Sequence, residues 1–326
     1  MVTESSKYHY EDVPNWLKLP EHWQVREMSG VAIDSHDRVF ALGRGYNPVA
    51  IFDSDGNFID AWGGDLFERA HNIMIAPDNT VYCVDDLGHR IFKFTPDGEL
   101  LLTINSQNTH TDNPTMTARG QVVNRVHPPF NYPTGIALSP QGDLYISDGY
   151  GNAQIHKYDS DGTYLFSWGD FGTETGQFHV PHGVFVDNEG LVYVSDRMNC
   201  RIQIFSADGD FVTQWDDVHF PDNICMDKEG IIYVAELGGL YLKGLPIDMR
   251  QPAARITIRN RQGHILAEWH TPDPRGTGSF FAPHDIAVDS TGNLYIAEAA
   301  NTYARGTAPP SWSLLRKLVL NPRNQP

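Results

Sequence analysis

Cysteine is scarce in this chain. Its 326 residues hold three, Cys83, Cys200 and Cys225, none in a CxxC pair, too few for a disulfide framework. Positive charge is also short: 24 Lys and Arg against 41 Asp and Glu give a net charge of −17. Nucleic-acid binding leans on a basic surface that neutralises phosphates, so a nucleic-acid partner is excluded. Docking on anionic lipid is excluded on the same ground. No window approaches the ~18 uncharged apolar residues of a membrane span. The opening MVTESSKYHYEDVPNW has no basic stretch leading into an apolar run, so no signal peptide is expected and the expected compartment is the cytoplasm.

Turn formers and aromatics are plentiful, with 29 Gly, 21 Pro and 11% aromatic residues, and the chain repeats itself. SGVAID (29–34), HNIMIA (71–76), TGIALS (134–139), HGVFVD (182–187), DNICMD (222–227) and HDIAVD (284–289) are six copies of one phrase. Each is followed by a polar turn and a second apolar run: VFALG, VYCVD, LYISD, VYVSD, IIYVA, LYIAE. Asp-Gly turns at Asp55-Gly56, Asp97-Gly98, Asp161-Gly162 and Asp208-Gly209 introduce a further strand, which often ends in Trp. Alternating short strands joined by such turns are antiparallel hairpins. The period of about 51 residues fits one four-stranded blade. The expected fold is therefore all-β: a six-bladed β-propeller spanning 1–326 as one domain. The sixth repeat lacks a fourth strand, and the N-terminal segment (about 1–28, near Trp23–Arg26) is expected to supply it.

Strands are labelled A to D outward from the axis. The D-to-A and B-to-C connections then share one face, and every long insertion (104–131, 169–180, 237–253, 270–281, 299–311) falls on it. Loops of this length usually carry function. The residue leading into strand A lies at the mouth of the channel on that face. Blade by blade it reads Ser29, His71, Thr134, His182, Asp222, His284. Histidine in alternate blades converges on the axis, and three neutral imidazoles with an open fourth position suit catalytic Zn²⁺. The B-to-C loops of the same face add Arg44, Tyr150 and Arg197 as binding or catalytic candidates. His89 and His179 read as ordinary loop histidines, and the Asp53-Ser-Asp55-Gly56 stretch as a hairpin turn rather than a calcium loop.

MSGVAID, the His71 phrase, SDGYGN, GQFHVPHGV, SDRMNCRIQIF and FFAPHDIAV together resemble the peptidyl-α-hydroxyglycine α-amidating lyase family, six-bladed propellers of the NHL-repeat class, over about residues 16–300. The resemblance implies zinc on His71, His182 and His284, and catalytic roles for Tyr150, Arg44 and Arg197. The two arginines would also hold a substrate carboxylate. It further implies a structural Ca²⁺ on the carbonyls of Val31 and Ile73 and the carboxylate of Asp285. The implied reaction cleaves the C–N bond of a carbinolamide, giving an amide and glyoxylate, with Tyr150 as base and the nearby zinc and guanidinium groups favouring its phenolate. Two positions and one domain depart from the family. RAHN stands where it usually has PHG, and Gly151 where secreted members have a cysteine beside the tyrosine. The partner copper monooxygenase has no counterpart in these residues, so the expected substrate is a small molecule or peptide carrying a carboxylate, not necessarily a hydroxylated peptide. Protein partners are left open. Two other functions remain open: a lactonase-type metal-dependent hydrolase, and a non-enzymatic NHL interaction platform.

Overall fold

The computed structural model describes residues 7–21, 23, 25–105, 116–117, 120–121, 131–238, 253–270, 280–304, 306 and 313–321. Three of the expected insertions, 104–131, 237–253 and 270–281, lie largely outside the described residues; 299–311 is described at 299–304, where Ala300–Tyr303 form one helical turn, and at 306, and 169–180 lies inside. Six four-stranded antiparallel sheets follow one another along the chain, so the fold is the six-bladed β-propeller expected from the repeats. Two compact units divide the chain: Gly63–Asn223, and Met1–Trp62 with Ile224–Pro326.

Gly63–Asn223 contains blade 2 (Ala70–Ile75, Val81–Asp85, Arg90–Phe94, Leu100–Asn105), blade 3 (Gly135–Leu138, Leu144–Asp148, Gln154–Tyr158, Tyr164–Trp168) and blade 4 (Pro181–Val186, Val192–Asp196, Arg201–Phe205, Phe211–Trp215). The other unit contains blade 1 (Met28–Ile33, Val39–Gly43, Val49–Phe52, Phe58–Trp62) and blade 6 (Pro283–Val288, Leu294–Glu298, Leu315–Leu320). It also holds strands B to D of blade 5 (Ile232–Glu236, Arg255–Arg259, Ile265–His270), whose strand A, Pro221–Met226, lies at the unit boundary. The fourth strand of blade 6 is Tyr10–Asp12, antiparallel to Leu318–Leu320. The N-terminal segment thus supplies it, but not from Trp23–Arg26: Trp23 packs edge-on against Phe58, ring centroids 5.1 Å apart.

Burial explains the pattern of the strands. Every strand B is buried along its length and is apolar on both faces, whereas each strand D exposes residues, as expected for a strand on the outer rim. The strand-B aromatics Tyr193, Tyr233 and Tyr295 send their hydroxyls to Asp187, Asp227 and Asp289 of their own A–B turns. Each of these aspartates also accepts two backbone N–H groups across its turn. The expected Asp-Gly turns form, with φ of +80° to +88° at Gly56, Gly98, Gly162 and Gly209, a region glycine adopts without steric cost.

Candidate metal and substrate site

Strand A of blades 1, 2, 4 and 6 breaks register at its lead residue. Pairing skips Ser29, His71, His182 with Gly183, and His284. A bulge lifts a residue out of the ladder and re-aims its side chain. Each histidine is buried, and each Nδ1 faces the lead residue's carbonyl in the next blade: His71 to Thr134 O at 2.8 Å, His182 to Asp222 O at 3.2 Å, His284 to Ser29 O at 2.7 Å. A carbonyl only accepts, so Nδ1 carries the proton and Nε2 keeps its lone pair. Gly183 makes the approach possible in blade 4, because a Cβ there would lie 2.5 Å from Asp222 O.

In Gly63–Asn223, Nε2 of His71 and Nε2 of His182 each lie 3.0 Å from the Tyr150 hydroxyl. A phenol has one proton and faces two acceptors, so one hydroxyl cannot donate to both. Convergent neutral imidazole nitrogens, fixed from behind by carbonyls, have the donor chemistry of a transition-metal site, and the residues fit the expected group. Tyr150 is pinned by its neighbours. A Cβ on Gly149 would meet Pro181 O at 2.2 Å, and one on Gly151 would meet Asn131 O at 2.3 Å. Gly151 therefore leaves room for the Asn131 backbone where secreted relatives of the resembled family have cysteine.

Arg197 follows strand B of blade 4 and lies over the Tyr150 ring, 5.5 Å from its centroid. Its Nη1 donates to Asp222 Oδ1 at 3.1 Å, so the blade-5 lead residue aims the arginine. Burial pushes the Asp222 carboxyl up to about 7 against the pull of Arg197. Burial also raises the Tyr150 phenol, and Arg197 and Arg69 oppose this while Asp86 and Asp222 add to it. The guanidinium groups therefore do not by themselves make the phenolate. In the other unit, Arg44 is oriented in a similar way: its Nη1 donates to Glu27 Oε1 at 2.5 Å and to Thr302 Oγ1 at 2.6 Å.

Asp285 accepts the Val31 N–H on Oδ2 at 3.0 Å and the Ile286 N–H on Oδ1 at 2.9 Å, tying strand A of blade 6 to that of blade 1. Ile73 is buried in strand A of blade 2. His89 holds structure: its Nδ1 accepts the Tyr132 N–H at 3.0 Å. His179 sits against Phe171, and Asp53 caps its own hairpin turn.

The acid that ends strand B was quoted in the repeats, yet its role was missed. Asp85, Asp148, Asp196 and Glu298 accept backbone N–H groups from the segment that leads into strand A: Arg69, Asn131, His179 and Ala282 respectively. A strand-C side chain anchors the acid in its turn: Arg90 on Asp85, His156 on Asp148, Arg201 on Asp196, Arg255 on Glu236. Leaving one such buried charge unpaired costs about 3–5 kcal/mol, so the face that carries the site is held firmly. Aligning the last residue of each strand B would have shown this.

Fold and site together define an NHL-repeat β-propeller with a histidine-lined candidate metal site. The NHL repeat family matches residues 130–158 and 178–205. The chain is homologous to proteins named as amidating lyases. It is 29% identical over 170 residues to peptidyl-alpha-hydroxyglycine alpha-amidating lyase 1 of Drosophila melanogaster, covering 48% of this chain and 29% of that protein. Peptidylglycine alpha-amidating monooxygenase of Rattus norvegicus is 26% identical over 330 residues, covering 90% of this chain and 31% of that protein. NHL repeat-containing protein 3 of Homo sapiens is 31% identical over 205 residues, covering 59% and 55%. The chain thus spans about a third to a half of the length of these relatives. Among solved structures, virginiamycin B lyase from Staphylococcus aureus superposes with a TM-score of 0.59 at 15% identity, covering 97% of this chain and 99% of that one. At that identity the likeness shows the fold alone.

Proposed function

We infer that the protein is a metal-dependent carbon–nitrogen lyase acting on a carboxylated carbinolamide of the N-acyl-α-hydroxyglycine type. His71, His182 and His284 would hold the metal, zinc being the ion their donor chemistry suits. The observation that carries this is the pair of Nε2 lone pairs converging on the single Tyr150 hydroxyl, 3.0 Å from each. The third histidine joins them on repeat equivalence: the same bulge, the same carbonyl behind Nδ1, the alternate blade.

When bound, the metal would supply positive charge that lowers the pKa of a hydroxyl placed beside it. With that charge added to the pull of Arg197 and Arg69, Tyr150 would stand as the phenolate and accept the proton from that hydroxyl. As the proton leaves, the hydroxyl carbon becomes a carbonyl and the C–N bond breaks. The nitrogen takes a proton and departs as the amide, and glyoxylate remains. Arg197, aimed by Asp222, and Arg44, aimed by Glu27, present guanidinium forks that match a carboxylate. A structural calcium at Val31, Ile73 and Asp285 is the companion proposal, supported by the resemblance. A cytoplasmic setting is supported by the free thiols Cys83, Cys200 and Cys225.

The test is glyoxylate release from N-benzoyl-α-hydroxyglycine by metal-replete protein. Turnover that stops with chelation and returns with zinc is the expected result. Hydrolysis of a lactone or ester with no carbinolamide cleavage would overturn the lyase function while leaving the metal site intact.

A further inference from the structure

Blade 2 carries an ion pair that the lyase function does not use. The residue directly after strand B is Arg44 in blade 1, Asp86 in blade 2 and Arg197 in blade 4. The residue two before the strand-A lead is Glu27 in blade 1 and Arg69 in blade 2. Backbone bonds join these positions in the same way, Arg44 N to Glu27 O at 3.3 Å and Asp86 N to Arg69 O at 3.2 Å. The Glu27–Arg44 pair of blade 1 therefore recurs in blade 2 as Arg69–Asp86, with the charges exchanged.

The exchanged pair is well built. Arg69 Nε reaches both Asp86 oxygens, at 2.8 and 3.0 Å, Nη2 binds Oδ2, and the Arg69 backbone N–H is held by Asp85. It also sits beside the site. Asp86 opens the loop that ends at His89, His89 takes the Tyr132 N–H, and Tyr132 O takes the Tyr150 N–H at 3.3 Å. The charges of Arg69 and Asp86 both act on the Tyr150 phenol. The Asp86 carboxylate is fully buried whereas the Arg69 side chain is 30% exposed, against 8% for Arg197. The cation is thus the member of the pair that a ligand can reach.

We propose that Arg69, braced by Asp86, is a specificity-determining residue that selects a second anionic group on the substrate, so that the preferred carbinolamide is a dianion with a carboxylate on its acyl part. This rests on the lyase function inferred above. Arg197 takes the carboxylate of the hydroxyglycine moiety, and Arg69 takes the one on the leaving amide.

The experiment uses unreactive ligands, so that it does not depend on turnover. Binding of N-succinylglycine and of its neutral isostere N-succinamoylglycine is measured by calorimetry on metal-loaded protein, native, Arg69→Gln and Arg69→Lys. The native protein should favour the diacid by at least about ten-fold, the scale of a hydrogen bond to a charged group. The ratio should fall towards one in Arg69→Gln and stay intermediate in Arg69→Lys, where charge remains without the fork. Equal binding of the two ligands to native protein, no measurable binding of either, or an undiminished ratio in Arg69→Gln overturns the proposal. Glyoxylate release from N-benzoyl-α-hydroxyglycine, measured alongside, reports separately on the lyase function.

Discussion

Replacing Tyr150 by Phe removes one oxygen from the point where two imidazoles converge and leaves the rest of the side chain in place. The ring remains beneath Arg197, and the close-packed Gly149 and Gly151 keep the loop where it is. Substrate contact surface is therefore nearly unchanged, and KM should move by no more than about three-fold. A positioned proton acceptor contributes about 10²–10⁴-fold, so kcat should fall by that factor, about 2.7–5.4 kcal/mol at 1.36 kcal/mol per decade. Stability gives an independent reading. In metal-free protein the mutant loses the hydroxyl that serves His71 and His182, a loss of about 0.5–1.5 kcal/mol, whereas with the metal in place its Tm should match the native one. Steady-state glyoxylate release gives the kinetic split, and thermal melts with and without zinc give the second readout. A kcat within about three-fold of native, or a loss carried wholly by KM, would refute Tyr150 as the proton acceptor.

Elemental analysis should find about one zinc per native chain and far less in His71→Ala and His182→Ala, with far-UV circular dichroism unchanged. Arg197→Lys should raise KM by about ten-fold, because it loses both the fork and the bond to Asp222, and steady-state kinetics will show whether it does. Asp285→Ala should lower Tm by removing the tie to Val31, and calcium should raise the Tm of native protein only; identical calcium responses in both would count against a cation there. Burial pushes the Asp289 carboxyl up, but hydrogen bonds from Asn293 and Thr291 outweigh it and hold the pKa below the usual value. Its contribution is thus complete above the unfolded pKa of about 3.9 and is lost as pH falls through the lower folded value. Asp289→Ala should cost about 1–3 kcal/mol at pH 7, and the gap should close in denaturant melts taken below about pH 4.

The blades were legible because they repeat: six registered phrases fix strand type, turn position and inward face at once, without help from tertiary contacts. The histidines were legible for the same reason, standing at one position of that register. What the sequence hid lies between repeats. The outer strand of blade 6 went to Tyr10–Asp12 because three residues pairing with Leu318–Leu320 carry little periodic signal, while Trp23 and Val25, more apolar, pack on blade 1 instead. The bulges were hidden because skipping one residue changes pairing without changing composition. Asp222 was visible only as an acid in the lead position. That it aims Arg197 depends on neighbouring blades meeting at the channel mouth, a contact between side chains 25 positions apart.

The bulges and the strand-B acids answer one physical problem. A lead residue in regular pairing would put its side chain into the sheet's own alternation, packed against the next blade, and its carbonyl into the ladder. Slipping one residue releases the side chain: His71 turns towards Tyr150, and the carbonyl of Thr134, just ahead of strand A of blade 3, holds its Nδ1 proton. A lead segment released from its ladder needs other partners, and the acid at the end of strand B supplies them, Asp85 taking the N–H groups of Glu68 and Arg69 just ahead of His71. Arg90 then neutralises Asp85. The order of dependence runs from Arg90 to Asp85 to the backbone at Arg69 to the direction of His71. Arg90→Gln should therefore weaken zinc affinity although Arg90 lies on strand C, beyond Asp85. Loss of a partner behind a ligand typically costs 10–100-fold in metal affinity, so a drop of about ten-fold is expected in a competitive chelator titration. An unchanged zinc affinity in a folded Arg90→Gln protein would show that the bulge alone sets the histidine.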